Sequence, residues 1–256
     1  MKEGLARWVF RHDNIDQLHV IGCARSGTTM MHATMCAFEN VEIHSAESSP
    51  EFPTLGPRVR ISRAFRRRGI PASARKFFVT KRGWDWFERP EREVLLRRAE
   101  RENLGLINIV RDPRDVLLSR HPHFERARFV SVDFWRKSIE GAEWLRERLE
   151  AGGRFVTVRY EDVVRQPRAI ERAVSEAFGL QLRPGASIDR VEDSLKSSGA
   201  ILVPAMEKAM HGVRNADAKS IGKWRTAEDQ PEAELLADAA AAPLFQDFVQ
   251  RYGYTG

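Results

Sequence analysis

The sequence predicts an α/β protein in which helices cover both faces of a parallel β-sheet. Short apolar runs with the length of buried strands alternate with stretches of helical length along the 256-residue chain. The first of these strands leads directly into a glycine-bounded loop and a helix, which is how many proteins hold phosphate. A hydrophobic content of 42% supports a substantial core, so we expect a single domain over residues 1–256.

The elements follow one another along the chain in the order that this fold requires. The predicted strands cover residues 18–21, a short stretch near 41–43, 77–80, 104–110 and 154–160. The predicted helices cover residues 28–38, 89–102, 113–119, 132–150 and 168–178, and an alanine-rich helical stretch covers 232–252. Gly152 and Gly179 follow two of these helices, where glycine commonly ends a helix. Weak periodicity after residue 185 indicates a flexible cap over about 185–230.

The segment between the first strand and the first helix is typical of a phosphate-binding loop. Gly22 and Gly27 enclose four residues, and the backbone N–H groups of such a loop point at phosphate together with the helix N-terminus. Thr28 stands where nucleoside-triphosphate loops carry lysine, and the cation is instead Arg25. The fold is therefore expected to be P-loop nucleotide-hydrolase-like, with a 5′-phosphate bound without magnesium rather than ATP or GTP.

A second candidate site follows the strand at residues 104–110. Asp112 is suited to cap the next helix, with Pro113 at its first position. Arg111 then lies at the C-terminal edge of the strand, where ligands of open α/β sheets bind. Ser119 lies two helical turns further on, so both side chains contact one anion only if it sits beside the first half of the helix. If this block stood alone, the alternative interpretation would be that Arg111 and Asp112 are ordinary surface charges at the start of a helix.

Taken together, the two blocks resemble the sulfotransferases that use 3′-phosphoadenosine 5′-phosphosulfate (PAPS). That family has a loop ending in R/K-S-G-T-T and, after a later strand, R-D/N-P-R/K-D-V-x-x-S. The stretch from Phe155 to Pro167, the stretch from Ile221 to Arg225 and the Tyr-Gly-Tyr ending at Tyr254 are also similar to family segments. The resemblance is weakest between residues 50 and 104. It is closer to bacterial and tyrosylprotein-type members than to cytosolic phenol-type members.

The resemblance implies in-line transfer of a sulfuryl group from PAPS to a hydroxyl, or less often an amine, of an acceptor without a metal. The residues implied to hold the 5′-phosphosulfate are Arg25, Ser26, Gly27, Thr28 and Thr29, of which Arg25 would also neutralise the leaving phosphate. The residues implied to hold the 3′-phosphate are Arg111 and Ser119, with Lys223 and Arg225 as further phosphate or sulfate contacts. Tyr160 and Trp224 are implied on the adenine side, with a packing role as the alternative for each.

The catalytic base and a second catalytic cation are also implied by the resemblance. Glu47 falls one residue late of the glutamate that one branch of the family uses as its base, and His44 is the alternative. The histidine of another branch has no match, since residues 90–110 contain none. Lys81 follows a short strand and would stabilise charge on the transferring sulfuryl group, although a capping or surface lysine is an equal interpretation.

The charge of the chain is more simply explained by an anionic ligand than by nucleic acid. The net charge is +6, yet no nucleic-acid-binding module is present, and a polyanionic cosubstrate accounts for some of the excess. A dense basic stretch between Arg58 and Arg68 lies in the variable region of about residues 50–104, where acceptor specificity often resides in the family. It is suited to an anionic acceptor or a membrane surface, or is simply a solvated helix.

The remaining features set broad limits on the function. No apolar run has the length of a membrane span, and the two cysteines, Cys23 and Cys36, suggest no disulfide framework, so a cytoplasmic enzyme is expected. The absence of a Cys/His cluster argues against a structural metal. The acceptor stays open among small molecules, carbohydrates, lipid-linked sugars and peptides, and the oligomeric state is equally open. Alternative functions are an atypical P-loop kinase and a non-catalytic nucleotide-binding module.

Overall fold

The computed structural model describes residues 17–39, 41–43, 77–82, 85–101, 104–121, 124–197, 218–226 and 230–254. Within these ranges the fold centres on a sheet of five parallel strands. The strands are β1 (Gln17–Ile21), β2 (Val41–Ile43), β3 (Phe77–Lys81), β4 (Leu104–Val110) and β7 (Phe155–Arg159), in the spatial order β2-β3-β1-β4-β7. A separate antiparallel pair is formed by β5 (Arg120–His121) and β6 (Phe124–Arg128).

Helices connect the strands and form the C-terminal part of the chain. They are α1 (Thr28–Thr34), α2 (Arg89–Arg101), α3 (Pro113–Leu117), α4 (Val132–Leu149), α5 (Tyr160–Arg165), α6 (Pro167–Phe178), α7 (Val191–Ser197), α8 (Gln230–Ala240) and α9 (Pro243–Arg251). Short 3₁₀ turns cover Met35–Ala37, Ala218–Ser220 and Lys223–Thr226. Within the described ranges, no helix is long and apolar enough to cross a membrane.

Both faces of the sheet are covered, as the sequence predicted. Because side chains alternate along a strand, Leu18 and Val20 pack on one face with residues of α1, α6 and α7. Ile21 and Leu106 pack on the opposite face with residues of α2 and α4. The strands are therefore apolar along nearly their whole length, which is typical of a buried parallel sheet.

Local capping explains several of the helix ends. The side chain of Ser131 accepts a hydrogen bond from the backbone N–H of Phe134 at the start of α4. The side chain of Asp112 caps α3 in the same way, with Pro113 at the first helical position, as predicted. Gly179 adopts a left-handed conformation with φ 67° directly after α6, which confirms its predicted role as a helix stop.

Some predicted boundaries differ from the structure. The first helix ends at Thr34 and continues as a 3₁₀ turn, because the Thr34 hydroxyl donates to the Met31 carbonyl at 2.7 Å. The helix after β4 ends at Leu117, so Ser119 lies beyond it rather than on its second turn. The C-terminal helical stretch is divided in two before Pro243. The basic stretch between Arg58 and Arg68 lies outside the described residues.

Candidate active site

The loop after β1 lies where the connections leave the sheet in opposite directions. β1 lies between β3 and β4 in the sheet. After β1 the chain forms β2 and β3 on one side of it, and then crosses to form β4 and β7 on the other side. Such a switch point is the usual ligand-binding position of an open parallel sheet. The register pairs Val20 with Lys81 and Ile21 with Asn108, so the carboxyl ends of these strands are level. The loop after β1 and the starts of α3 and α5 therefore share one edge.

The loop has a backbone shape that excludes larger residues at its glycines. Gly27 has φ 102°, and a Cβ atom there would lie 2.7 Å from Cδ2 of Tyr160. A Cβ atom on Gly22 would overlap the carbonyl oxygen of Ile109 on β4. Arg25 also has a positive φ, of 71°, which is uncommon for a residue with a side chain. The loop is thus a tight concave turn pressed against β4 and α5.

Two side chains hold the loop from inside. The hydroxyl of Ser26 lies 2.6 Å from the Cys23 carbonyl and 3.0 Å from the Ile109 carbonyl, and its own N–H donates to Cys23. The indole N–H of Trp86, a fully buried residue, donates to the Gly22 carbonyl at 3.2 Å. Ser26 therefore shapes the loop through contacts within the protein. Trp86 was not identified from the sequence, where a tryptophan after β3 carries no distinguishing signal.

Thr28 and Thr29 are the first two residues of α1. The backbone N–H of Met31 donates to the Gly27 carbonyl at 2.9 Å, which begins the helical ladder. The N–H groups before Met31 have no acceptor within the helix, as at every helix N-terminus. Thr28 is buried and Thr29 is half-buried. These N–H groups stand next to the glycine turn, as the sequence predicted for a phosphate loop.

The structure brings together the cations of the two sequence blocks. The Nε–H of Arg25 donates to the hydroxyl oxygen of Ser119 at 2.7 Å, across 94 positions of sequence. A terminal N–H of Arg111 donates to the backbone carbonyl of Arg25 at 3.2 Å. Burial, and then the positive charge of Arg111, lower the pKa of Arg25. Two guanidinium groups thus lie side by side in a site with local positive charge.

Aromatic rings support the flat faces of both guanidinium groups. Arg25 lies over Phe129 at 5.3 Å from the ring centroid, and Arg111 lies over Tyr160 at 4.7 Å. Tyr160 is 7% exposed and contacts both Gly27 and Arg111, so it joins the two halves of the site. In the described ranges the Nε–H of Arg111 is buried without an acceptor, and Arg25 has no carboxylate partner.

Residues 218–226, which we call the strap, cross the site beside α3. Arg111 donates to the Ser220 carbonyl, and Asp115 accepts hydrogen bonds from two strap N–H groups. The Trp224 indole N–H donates to Asp112 at 3.2 Å, and the Arg114 guanidinium stacks on its ring at 3.8 Å. Trp224 is therefore held by Asp112 and Arg114 at the start of α3, and its place on the adenine side stays a prediction. Lys223 and Arg225 are exposed on the same strap.

A buried carboxylate beneath α3 was missed from the sequence. Glu161 accepts hydrogen bonds from the Asp112 backbone N–H at 3.0 Å and from the Tyr254 hydroxyl at 2.9 Å. Burial raises the pKa of Glu161, although both hydrogen bonds oppose the shift. The Tyr-Glu-Asp and Tyr-Gly-Tyr segments had been singled out as family-like, but nothing local in them indicates that Glu161 and Tyr254 meet.

The predicted catalytic residues are only partly described. Lys81 is the last residue of β3, is 4% exposed and is level with Val20, so it lies on the side of the loop away from Arg111. Glu47 and His44 lie outside the described residues, and their roles stay predictions. Among the residues that the structure describes, no cluster of His, Cys, Asp or Glu has the composition of a metal site.

Comparisons with known proteins agree with the fold and with the second sequence block. A family model described as "Sulfotransferase family" matches residues 98–184, which contain Arg111, Ser119 and Tyr160. Carbohydrate sulfotransferase 1 of Danio rerio is 27% identical over 150 residues, covering 49% of this chain and 33% of that protein. The chain thus matches about a third of the length of this curated relative.

Solved sulfotransferases share the fold along most of the chain. The sulfotransferase domain of the Synechococcus PCC 7002 olefin synthase has a TM-score of 0.55 at 18% identity, covering 90% of this chain and 97% of that one. A mouse sulfotransferase, SULT7A1, has a TM-score of 0.54 at 11% identity, covering 96% and 94%. These structures define the class as an α/β protein of the P-loop type. The family match over residues 98–184 and the curated relative are partial likenesses to sulfotransferases, and the solved structures show the fold that the chain shares with them.

Proposed function

We propose that this protein transfers a sulfuryl group from PAPS to a hydroxyl or amine of an acceptor. The observation that carries the proposal is the contact between Arg25, Ser119 and Arg111, which joins the two motif blocks into one cationic site. The structure of SULT7A1 with PAP (adenosine 3′,5′-bisphosphate) supports the choice of nucleotide, because PAP is what PAPS becomes on losing its sulfuryl group.

The residues at the site suit an anion with two separate phosphate groups. The glycine turn before α1 leaves space that a Cβ atom would fill, and N–H groups at the start of the helix border it. Arg111 lies on the other side, and its buried Nε–H has no acceptor within the part of the chain that the structure describes. Ser119 accepts from Arg25, so its own hydroxyl proton is available to a ligand oxygen. We assign the loop to the 5′-phosphate and Arg111 with Ser119 to the 3′-phosphate.

This assignment predicts that the protein binds ordinary nucleotides such as ATP and AMP less well than PAP. The lysine that reaches the outer phosphates of ATP is replaced by Thr28, which argues against a nucleoside triphosphate. AMP offers no group to Arg111, so its binding leaves the buried Nε–H of that arginine without the acceptor that it also lacks among the described residues. A site whose arginine is placed to bind a phosphate group discriminates strongly against a ligand that lacks that phosphate.

The chemistry that the cosubstrate supplies is an activated sulfuryl group on a phosphate leaving group. Arg25 is placed to neutralise negative charge that grows on the 5′-phosphate, because it projects from the loop itself. Lys81, on the opposite side of the loop, is assigned to the sulfuryl oxygens. Glu47, with His44 as the alternative, is assigned to accept the proton of the acceptor. Since little covalent chemistry falls to the protein, positioning and charge should provide most of the catalysis.

The acceptor is proposed only as a class. The name of the Danio rerio relative favours a carbohydrate hydroxyl, and small molecules, lipid-linked sugars and peptides are the other candidates. The basic stretch between Arg58 and Arg68 would suit an acceptor with negative charge. Screening acceptors from these classes with PAPS as donor tests this part of the proposal.

Calorimetric binding tests the nucleotide. We expect PAP to bind at micromolar or lower concentration, AMP to bind much more weakly, and Mg²⁺-ATP to gain nothing from its extra phosphates. Arg111→Ala should weaken PAP binding by about tenfold to a hundredfold, the usual cost of losing a hydrogen bond to a charged group. Arg172→Ala, an exposed arginine on α6, is the matched control and should leave the affinity unchanged.

The same experiment separates the alternatives. Tighter binding of Mg²⁺-ATP than of PAP would favour the atypical kinase and contradict the proposal. Tight binding of PAP with no transfer to any acceptor would favour a non-catalytic nucleotide-binding module.

A further inference from the structure

One buried carboxylate ties the strap to α3. Asp115 Oδ2 accepts the backbone N–H of Gly222 at 2.8 Å, and Oδ1 accepts the backbone N–H of Trp224 at 3.0 Å. The side chain of Asp115 has 0% exposed area. Both oxygens of this carboxylate are thus used on a segment 107 to 109 positions away in sequence. Charge-assisted hydrogen bonds of this kind are stronger than those between neutral groups.

The same carboxylate borders Arg111. Nη2 of Arg111 lies 3.6 Å from Asp115 Oδ2 and also donates to the carbonyl of Ser220 on the strap. Arg111 therefore contacts the strap directly and, through Asp115, at a second point. Because the arginine and the strap share these partners, neither can move far without disturbing the other.

The strap carries exposed cations at a fixed position. Lys223 lies between Gly222 and Trp224, whose N–H groups both bind Asp115, so its backbone is held on each side while its side chain is exposed. Gly222 has φ 74°, and a Cβ atom there would lie 2.7 Å from Nη1 of Arg225. The turn at Gly222 thus depends on glycine.

A carboxylate this close to an anion site would by itself weaken anion binding. At Asp115 that effect is limited, since its oxygens face two N–H groups and a guanidinium rather than the ligand side. Its presence is explained if it orders the cations around it. Preorganised charges bind an anion better than the same charges on mobile segments.

We propose that Asp115 is the positioning residue that couples the strap to Arg111 and thereby gives the site its selectivity for a 3′-phosphate. The proposal rests on the proposed function, because it takes Arg111 as the 3′-phosphate ligand. Asp115 does not touch the nucleotide in this scheme. It holds Arg111, Lys223 and Arg225 in the arrangement that a second phosphate group requires.

Asp115→Asn tests this with little change in size. The amide keeps one acceptor oxygen but turns an N–H₂ group toward a backbone N–H, so one strap contact is lost together with the charge. We expect the affinity for PAP to fall about tenfold or more, while the affinity for AMP, which depends on the loop alone, changes less than about threefold. In full turnover, the KM for PAPS should rise while kcat falls little.

Trypsin cleavage reports on the strap itself. Lys219, Lys223 and Arg225 are exposed cleavage positions on the strap. In the unmodified protein we expect PAP to slow cleavage at these residues and AMP to have little effect. In Asp115→Asn, PAP at a saturating concentration should no longer protect them. Mass spectrometry of the fragments identifies the sites.

Two further variants serve as the second test and the control. Gly222→Ala strains the strap at a residue that contacts Asp115 but keeps the carboxylate itself in place. It should reproduce the selective loss of PAP affinity even if Asp115→Asn does not fold. The double variant should then bind PAP no more weakly than the more severe single variant, because both substitutions disrupt the same coupling between the strap and Arg111. Asp247→Asn, on the exposed face of α9, removes a carboxylate elsewhere and should change neither affinity.

The outcomes distinguish this inference from the proposed function. If the unmodified protein binds PAP no better than AMP, the proposed function is wrong. If it prefers PAP, but Asp115→Asn and Gly222→Ala weaken both nucleotides equally or neither of them, the function stands and the positioning role of Asp115 is wrong.

Discussion

Replacement of Gly27 by alanine should destabilise the protein through two separable effects. The first is backbone strain, because Gly27 has φ 102° and an L-residue in the left-handed region costs about 1 to 2 kcal/mol. The second is steric overlap, because the new Cβ would lie 2.7 Å from Cδ2 of buried Tyr160 and 3.3 Å from Cδ1 of Ile109. Overpacking of this kind costs about 1 to 3 kcal/mol. The sum is a loss of about 2 to 5 kcal/mol in the free energy of unfolding.

Gly185→Ala isolates the backbone effect. Gly185 has φ 77°, but nothing lies within 4 Å of a Cβ placed there, so the expected loss is only the strain of about 1 to 2 kcal/mol. Urea denaturation of both variants measures the difference. In a Tyr160→Ala background, the cost of Gly27→Ala should fall toward that of Gly185→Ala, since the overlapping ring is gone. Equal costs for the two glycines, unchanged by Tyr160→Ala, would refute the account of the loop as a turn pressed against α5.

Two further predictions concern the base and the buried histidine. Glu47→Gln should lower turnover about a hundredfold or more while leaving the affinity for PAP nearly intact. The control variant Glu51→Gln should change neither quantity. A loss of PAP affinity as large as the loss of turnover would contradict the assignment of Glu47 as the base. Burial and nearby cationic groups lower the pKa of His19 from 6.5 to about 3, so the unfolded chain takes up a proton before the folded one does. The contribution of neutral His19 to the free energy of unfolding is therefore complete above pH 6.5 and is lost as the pH falls toward 3. The amide of His19→Asn can still form a hydrogen bond with Thr80 but does not titrate. The free energy of unfolding, measured by urea denaturation at pH 7.5 and at pH 4.5, should therefore differ between the two pH values by about 2 to 3 kcal/mol less in this variant than in the unmodified protein. An unchanged difference would show that His19 is not the responsible group.

The strands and the backbone of the two motif blocks were predictable because their signals are local. The apolar run of β4 has the same bounds in the structure as in the prediction, and every residue in it is buried. The loop at Gly22 and Gly27 and the helix start at Asp112 depend on backbone geometry that a few adjacent residue types define. Parallel topology then places the ends of β1 and β4 together without further information.

The parts that were missed depend on contacts between distant segments. The prediction for Ser119 assumed a helix that continued past it, whereas the Phe129 backbone N–H donates to the Ser119 carbonyl and the chain turns into β5 and β6. In this conformation the Ser119 hydroxyl accepts a hydrogen bond from Arg25 at 2.7 Å. The pairing is not visible in the sequence because β6 is short and three of its five residues are charged. Tyr254 reaches Glu161 across 93 positions, so neither residue has a local signal for its role.

The structure suggests a reason why so basic a protein keeps acidic residues next to the arginines that we propose bind an anion. Asp112 is bonded to Arg114, Asp115 lies beside Arg111, and Glu161 holds the backbone of Asp112. If these carboxylates served only to neutralise charge, they would weaken the binding of a phosphate. Each carboxylate instead accepts a hydrogen bond from a backbone N–H group, in the strap or at the start of α3. These hydrogen bonds hold the backbone next to the arginines in place. Under the proposed function the site binds two phosphates at a set separation. Such a site gains more from fixed cations than from additional ones, because fixed cations need no reorganisation when the nucleotide binds.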